Sequence, residues 1–75
     1  MKRTTIRTTH ERPELVAAAL APDNTEEMTT RVEAHENSVV TTIERETTGG
    51  LRTTADDYVT NLTVAQQILD TTTQS

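Results

Sequence analysis

The chain has no cysteine, no tryptophan and no phenylalanine, and Tyr58 is its whole aromatic content. The missing cysteine excludes a disulfide framework, thiolate metal ligation and a thiol nucleophile. The missing aromatics remove the side chains that dominate most small cores, and leave almost nothing to stack on nucleobases. Lysine is nearly absent too: Lys2 is the one lysine among seven bases, set against twelve acids for a net charge of -5. No apolar run approaches the roughly 20 residues of a membrane-spanning helix, and no apolar leader stands at the start. The expectation is a soluble cytoplasmic protein with no membrane partner.

What remains is modest. Seventy-five residues allow one domain, and a chain of this size buries only ~60% of its unfolded surface. Residues 1–70 read as a single domain and Thr71 to Ser75 as a disordered tail. Beyond Met1 there are sixteen large apolar side chains, few enough that oligomerisation or docking to a partner is the remaining way to add buried area. Roughly a quarter of the chain is threonine, and a surface of acids and hydroxyls with almost no lysine is that of a protein from a high-salt cytoplasm. Charge is uneven: residues 1–12 carry a net +3 and the rest -8.

The element order follows from periodicity. Lys2 to Thr9 alternates Arg3, Thr5, Arg7 and Thr9 with Thr4, Ile6 and Thr8, which predicts a strand. Pro13 suits a first helical position, with Leu15, Val16, Ala19 and Leu20 on one face and Pro22 ending the run. Met28 to Ala34 alternates again, Glu36, Asn37 and Ser38 offer turn chemistry, and Val39 to Thr47 completes a hairpin. Leu51, Ala55, Tyr58, Leu62, Ala65 and Leu69 fall within roughly 80° of arc on a helix turning about 100° per residue. That helix starts either at Thr47 or Thr48, before Gly49 and Gly50, or at a capping box over Thr53 to Asp56. The fold class is α+β: a three-stranded antiparallel sheet with two helices on one face, in the order strand, helix, strand, strand, helix. Val59 lies on one flank of the final stripe, and Val64 and Ile68 on the other. The apolar surface of this helix is therefore wider than one contact face.

Two motifs carry a resemblance. Ala18-Ala19-Leu20-Ala21-Pro22-Asp23-Asn24 resembles the helix-ending motif of the small dimerisation subunit of the KEOPS complex. Leu51-Arg52, followed by Tyr58 and Leu62, is similar to that family's final helix. The resemblance covers the chain from the first strand to Leu69 and suits a haloarchaeal member; the Ala34-His35-Glu36-Asn37 hairpin departs from the family's tight turn. It implies a non-catalytic adaptor with no cofactor, serving the threonylcarbamoyladenosine modification of tRNA. The two helices would pack on a helix pair of the KEOPS catalytic subunit, and the sheet would join a second copy or a paralogue. The expected partner face is Leu15, Ala18, Val59, Val64 and Ile68, the alternative being that these are core. Arg3 and Arg7 project together from the first strand and are expected either to touch tRNA phosphates or to pair with Glu33, Glu44 or Glu46.

Other patterns point away from chemistry. His10 and His35 lie in different elements without an obvious third ligand, so no metal site is expected. The neighbouring acids Glu26-Glu27 and Asp56-Asp57 point in different directions and do not converge as an acid/base pair. Gly49-Gly50 lacks the spacing and lysine of a phosphate loop. Asn61-Leu62-Thr63 matches a glycosylation acceptor by accident of sequence. Two other classes stay open: a free-standing RNA-binding module, disfavoured by the negative charge and the lack of a Gly-x-x-Gly loop, and a self-associating scaffold.

Overall fold

The structure is a computed structural model that describes residues 1–21 and 27–73. Its elements are β1 (Lys2–Thr9), α1 (Pro13–Leu20), β2 (Met28–Glu33), β3 (Ser38–Arg45) and α2 (Thr48–Thr73), with one 3₁₀ turn, Ala34–Glu36, between β2 and β3. The strands form one antiparallel sheet in the order β1-β3-β2, and both helices lie on one of its faces. This is the α+β arrangement, in the order strand, helix, strand, strand, helix, that the periodicities predict. Pro22, Asp23, Asn24 and the acid Glu26 lie outside the described residues, as do Gln74 and Ser75.

β3 is central because it is the strand whose side chains tolerate burial on both sides. Every residue from Lys2 to Thr9 pairs with it on one edge, in register from Lys2↔Arg45 to Thr9↔Ser38. On the other edge the pairing runs from Met28↔Ile43 to Glu33↔Ser38. Val39, Thr41 and Ile43 face the helices and are fully buried. Val40 points to the open face yet is only 1% exposed. It sits opposite Arg7 on one side and Arg31 on the other, so the apolar stems of two long side chains shield it. The hairpin turns at Asn37, whose backbone is left-handed at φ 53°, a conformation Asn adopts more readily than most residues. Its N–H donates to the Ala34 carbonyl at 3.2 Å, and its carbonyl accepts from His10 N–H at 2.8 Å.

α1 opens with Pro13 at its first position, where a missing N–H costs nothing. The Arg12 carbonyl accepts from both Leu15 and Val16 N–H. Val16 and Leu20 are buried against Met28, Val39, Ile43, Tyr58 and Leu62. α2 begins at Thr48, the earlier of the two starts the sequence allows. Thr47 is its cap, its hydroxyl accepting from Gly50 N–H at 3.0 Å. The capping box over Thr53 to Asp56 does not form, since Thr53 donates its hydroxyl to the Gly49 carbonyl one turn back. Arg45 secures the first turns from the end of β3, reaching Thr54 Oγ1 with Nη1 and Glu27 Oε2 with Nε. The helix continues through Thr71–Thr73, so three residues expected in a disordered tail are helical, Thr71 donating to the Gln67 carbonyl.

The predicted stripe meets the sheet. Tyr58 is 1% exposed, Leu62 and Ala65 are each 8% exposed, and Leu51, Ala55 and Leu69 pack on the same core. Tyr58 is also the polar tie between layers: Thr41 donates its hydroxyl to the Tyr58 oxygen at 2.7 Å. The Thr30 and Thr41 hydroxyls lie 3.1 Å apart. A threonine hydroxyl has one proton, so Thr41, having donated it to tyrosine, accepts from Thr30.

Burial pushes the Tyr58 phenol above its ordinary value of 10.0, and the Thr41 hydrogen bond only partly offsets this. The unfolded chain then ionises at lower pH than the folded one. The Tyr58 contribution to stability is complete below about pH 10 and is lost as pH rises through the folded value. Urea midpoints at rising alkaline pH should show this decline, and Tyr58→Phe should remove it while costing about 1–2 kcal/mol at neutral pH through the unpaired Thr41 hydroxyl. At the start of α2, a Cβ on Gly49 meets nothing within 4 Å, whereas one on Gly50 presses on Thr47 and Arg45 at 3.1–3.3 Å. Thermal melts should therefore show Gly49→Ala stabilising by about 0.5 kcal/mol and Thr47→Ala destabilising by about 1 kcal/mol.

Candidate partner interface

The residues singled out as a partner face are all exposed. Leu15 is 39% accessible, Val59 and Val64 each 49% and Ile68 60%, and Ala18 lies on the outer side of α1. The reason is geometric. A helix of 26 residues is ~39 Å long, while an eight-residue strand such as β3 spans ~27 Å. The sheet can cover one stripe of α2, and α1 covers part of one flank.

The structure groups these side chains unequally. α1 runs antiparallel to α2: Arg12 and Val16 meet Gln66, Leu69 and Asp70, and Ala19 meets Asn61, Val64, Ala65 and Ile68 across a shallow groove of about 230 Å³. Leu15 stands one turn before Ala19 on the same side of α1. Leu15, Ala19, Val64 and Ile68 thus border one surface between the two helices, whereas Ala18, about 100° round α1 from Ala19, points outward from it. Val59 is set apart: nine residues before Ile68, it points about 180° away. Its neighbours on that side are Arg52, Asp56 and Thr63, and a single exposed valine among polar residues is ordinary. Sequence reasoning missed Ala19 and Asn61 as lining residues, although Ala19 follows Leu15 at the helical spacing of four.

A second polar connection fixes the far end of α2. The Gln66 amide donates to Asp70 Oδ1 at 2.8 Å, which turns its carbonyl oxygen toward His10 Nδ1 at 2.7 Å. A carbonyl oxygen only accepts, so Nδ1 carries the proton. In the neutral ring Nε2 then accepts from the Thr8 hydroxyl at 2.7 Å. His10 is thereby a strut between the end of β1 and the end of α2, while His35 is exposed in the hairpin turn. No cluster of three His, Cys, Asp or Glu suited to a metal ion occurs among the described residues.

The arginines on the open sheet face are paired. Arg3 meets Glu44 at 3.2 Å, as one of the sequence alternatives has it, and Arg7 meets Glu36 of the turn, an acid outside that alternative. Arg31 joins them on this face and pairs with Glu33 at 3.2 Å. All of these pairs are well exposed and contribute little to stability, but they cancel the positive patch. No helix among the described residues is long and apolar enough to cross a membrane. Compared with known protein families, curated proteins and solved structures, the chain gives no match.

A side chain that serves a partner and not the core can be changed without loss of fold. Val64→Ser and Ile68→Ser should each move the urea midpoint by less than about 0.5 kcal/mol equivalent, whereas Leu20→Ala in the core should cost about 2–5 kcal/mol.

Proposed function

We propose that this chain is a non-catalytic adaptor that binds helices of a partner along the α1–α2 surface, and that the partner is the catalytic subunit of the KEOPS complex. The observation that carries the docking role is the exposure of Leu15, Val64 and Ile68 on one surface, in a chain with few large apolar side chains to leave outside. The choice of partner rests on the residues that resemble the family's dimerisation subunit: Ala18 to Asn24, then Leu51, Arg52, Tyr58 and Leu62. In this reading the chain does no chemistry and takes no cofactor. It supports threonylcarbamoyladenosine modification of tRNA in the cytoplasm by holding two catalytic subunits together.

Dimerisation is assigned to the sheet, because its order leaves β1 and β2 as outer strands, each with one side available for pairing. The second copy is this chain or a paralogue. Contact with tRNA is indirect: Arg3 and Arg7 already hold Glu44 and Glu36 and would have to exchange those carboxylates for phosphates.

Co-expression with the KEOPS catalytic subunit, followed by gel filtration with light scattering, tests the reading. The expected complex holds two copies of this chain. The double substitution Val64→Asp/Ile68→Asp should release the catalytic subunit and leave the dimer of this chain intact. Failure of the unaltered chain to hold that subunit overturns the assignment.

A further inference from the structure

We propose that His10 is the pivot of a latch that couples the β2–β3 turn to the last turns of α2, so that order at one of these places sets order at the other. The latch is independent of the docking role and of the partner assigned above. His10 stands one residue past β1 and holds two other segments at once. Its backbone N–H donates to the Asn37 carbonyl at 2.8 Å, and its ring Nδ1 donates to Gln66 Oε1 at 2.7 Å. The Thr8 hydroxyl, donating to Nε2, keeps the ring in that tautomer. Asp70, accepting from the Gln66 amide, keeps the Gln66 oxygen facing the ring.

Both ends of the latch are finely balanced. Asn37 is the one non-glycine residue with positive φ among the described residues, at φ 53° and ψ 39°. Its carbonyl meets His10 in that left-handed geometry, and leaving it swings the peptide plane between Asn37 and Ser38, so the His10 N–H loses its acceptor. At the other end, α2 past Gln66 has Leu69 as its apolar anchor on the core, while Ile68 is 60% exposed. With so little packing, one hydrogen bond is enough to shift these turns several-fold between docked and frayed.

The ring carries the effect both ways. A turn that leaves the left-handed region frees the His10 backbone, the ring drifts from Gln66, and the terminal turns lose their polar tie. Fraying beyond Gln66 in turn releases the ring, and with it the constraint that aims the His10 N–H at Asn37. Coupling of this kind is reciprocal, and its two-state element is the end of α2, docked or frayed. A contact at the exposed turn of Ala34 to Asn37 is therefore felt at Ile68.

Amide hydrogen exchange of the full chain, read residue by residue by NMR, tests this. His10→Ala should speed exchange of the amides from Gln67 to Thr71 by about fivefold and leave those of Tyr58 and Leu62 unchanged; Gln66→Ala should do the same. Asn37→Ala, which disfavours the left-handed turn, should speed those terminal amides by about threefold together with the His10 amide, whereas Asn37→Gly, which permits it, should leave them slow. The double variant Asn37→Ala/His10→Ala decides the matter. With the pivot gone the turn has nothing to add, and the terminal amides should exchange as in His10→Ala alone. His10→Asn, whose side-chain nitrogen can stand where Nδ1 does, should restore both slow exchange and sensitivity to Asn37→Ala. Additive effects in the double variant, terminal amides indifferent to His10→Ala or to Asn37→Ala, or no rescue by His10→Asn overturns the proposal. So does a uniform acceleration of all amides, which would make His10 and Asn37 contributors to global stability and nothing more.

Discussion

The contact between Thr41 and Tyr58 joins the two layers at the point where each is least able to do without the other. Thr41 is a polar residue in the middle of the central strand, fully buried, and Tyr58 is the one bulky ring in the chain. With the hydroxyls paired, the ring fills the space between sheet and helices with no unsatisfied polar atom. No buried side-chain nitrogen or oxygen among the described residues lacks a partner. The rest of the core, from Val16 and Leu20 of α1 to Ile43 of β3, packs around that ring. The same contact holds in place a helix with poor intrinsic propensity. Thr53, Thr60, Thr63 and Thr71 each turn a hydroxyl back to the carbonyl four residues earlier, a bond that competes with helix geometry. Most of the stability of such a helix comes from docking its apolar face.

Scarcity of apolar material shapes the surfaces as well. The open sheet face has one large aliphatic side chain, Val40, hidden beneath arginine stems, and is otherwise threonine, serine and paired charge. The helical side leaves Leu15, Val59, Val64 and Ile68 exposed, with Val32 partly so at the sheet edge. A molecule that shields a valine on one face while exposing several large aliphatics on another has a chemically asymmetric exterior. In the proposed reading, the outer strands β1 and β2 would take strand pairing and the helical side helix packing.

Much of the architecture is legible in the residues because the periodicities are clean. The 3.6-residue stripe from Leu51 to Leu69 and the alternation of Thr4, Ile6 and Thr8 each have one reading that buries the apolar set. The start of α2 was ambiguous because threonines stand at both possible cap positions, and the choice falls to Thr47, where Gly50 offers an N–H and Arg45 braces the turn. The helical character of Thr71–Thr73 ran against composition, since polar, threonine-rich ends look unstructured locally. The separation of Val59 from Ile68 followed from helical angles alone, but which flank α1 occupies did not, because crossing geometry is a property of packed layers. Pairing of Arg7 with Glu36 was hidden for a similar reason: the left-handed Asn37 sets where the turn places its acids.

The unequal lengths of α2 and the strand beneath it have a mechanical consequence. Support is continuous under the first turns, where Arg45 and the Tyr58 ring hold the helix, and becomes one-sided toward the end, where His10 and Leu69 supply the anchorage. A rod clamped along part of its length bends and frays from the free part. Local opening should be cheapest beyond Gln66, well below the free energy that unfolds the core. Ile68 sits on that stretch, so any neighbour gripping it would stiffen the least supported turns of the molecule and leave the clamped portion unchanged.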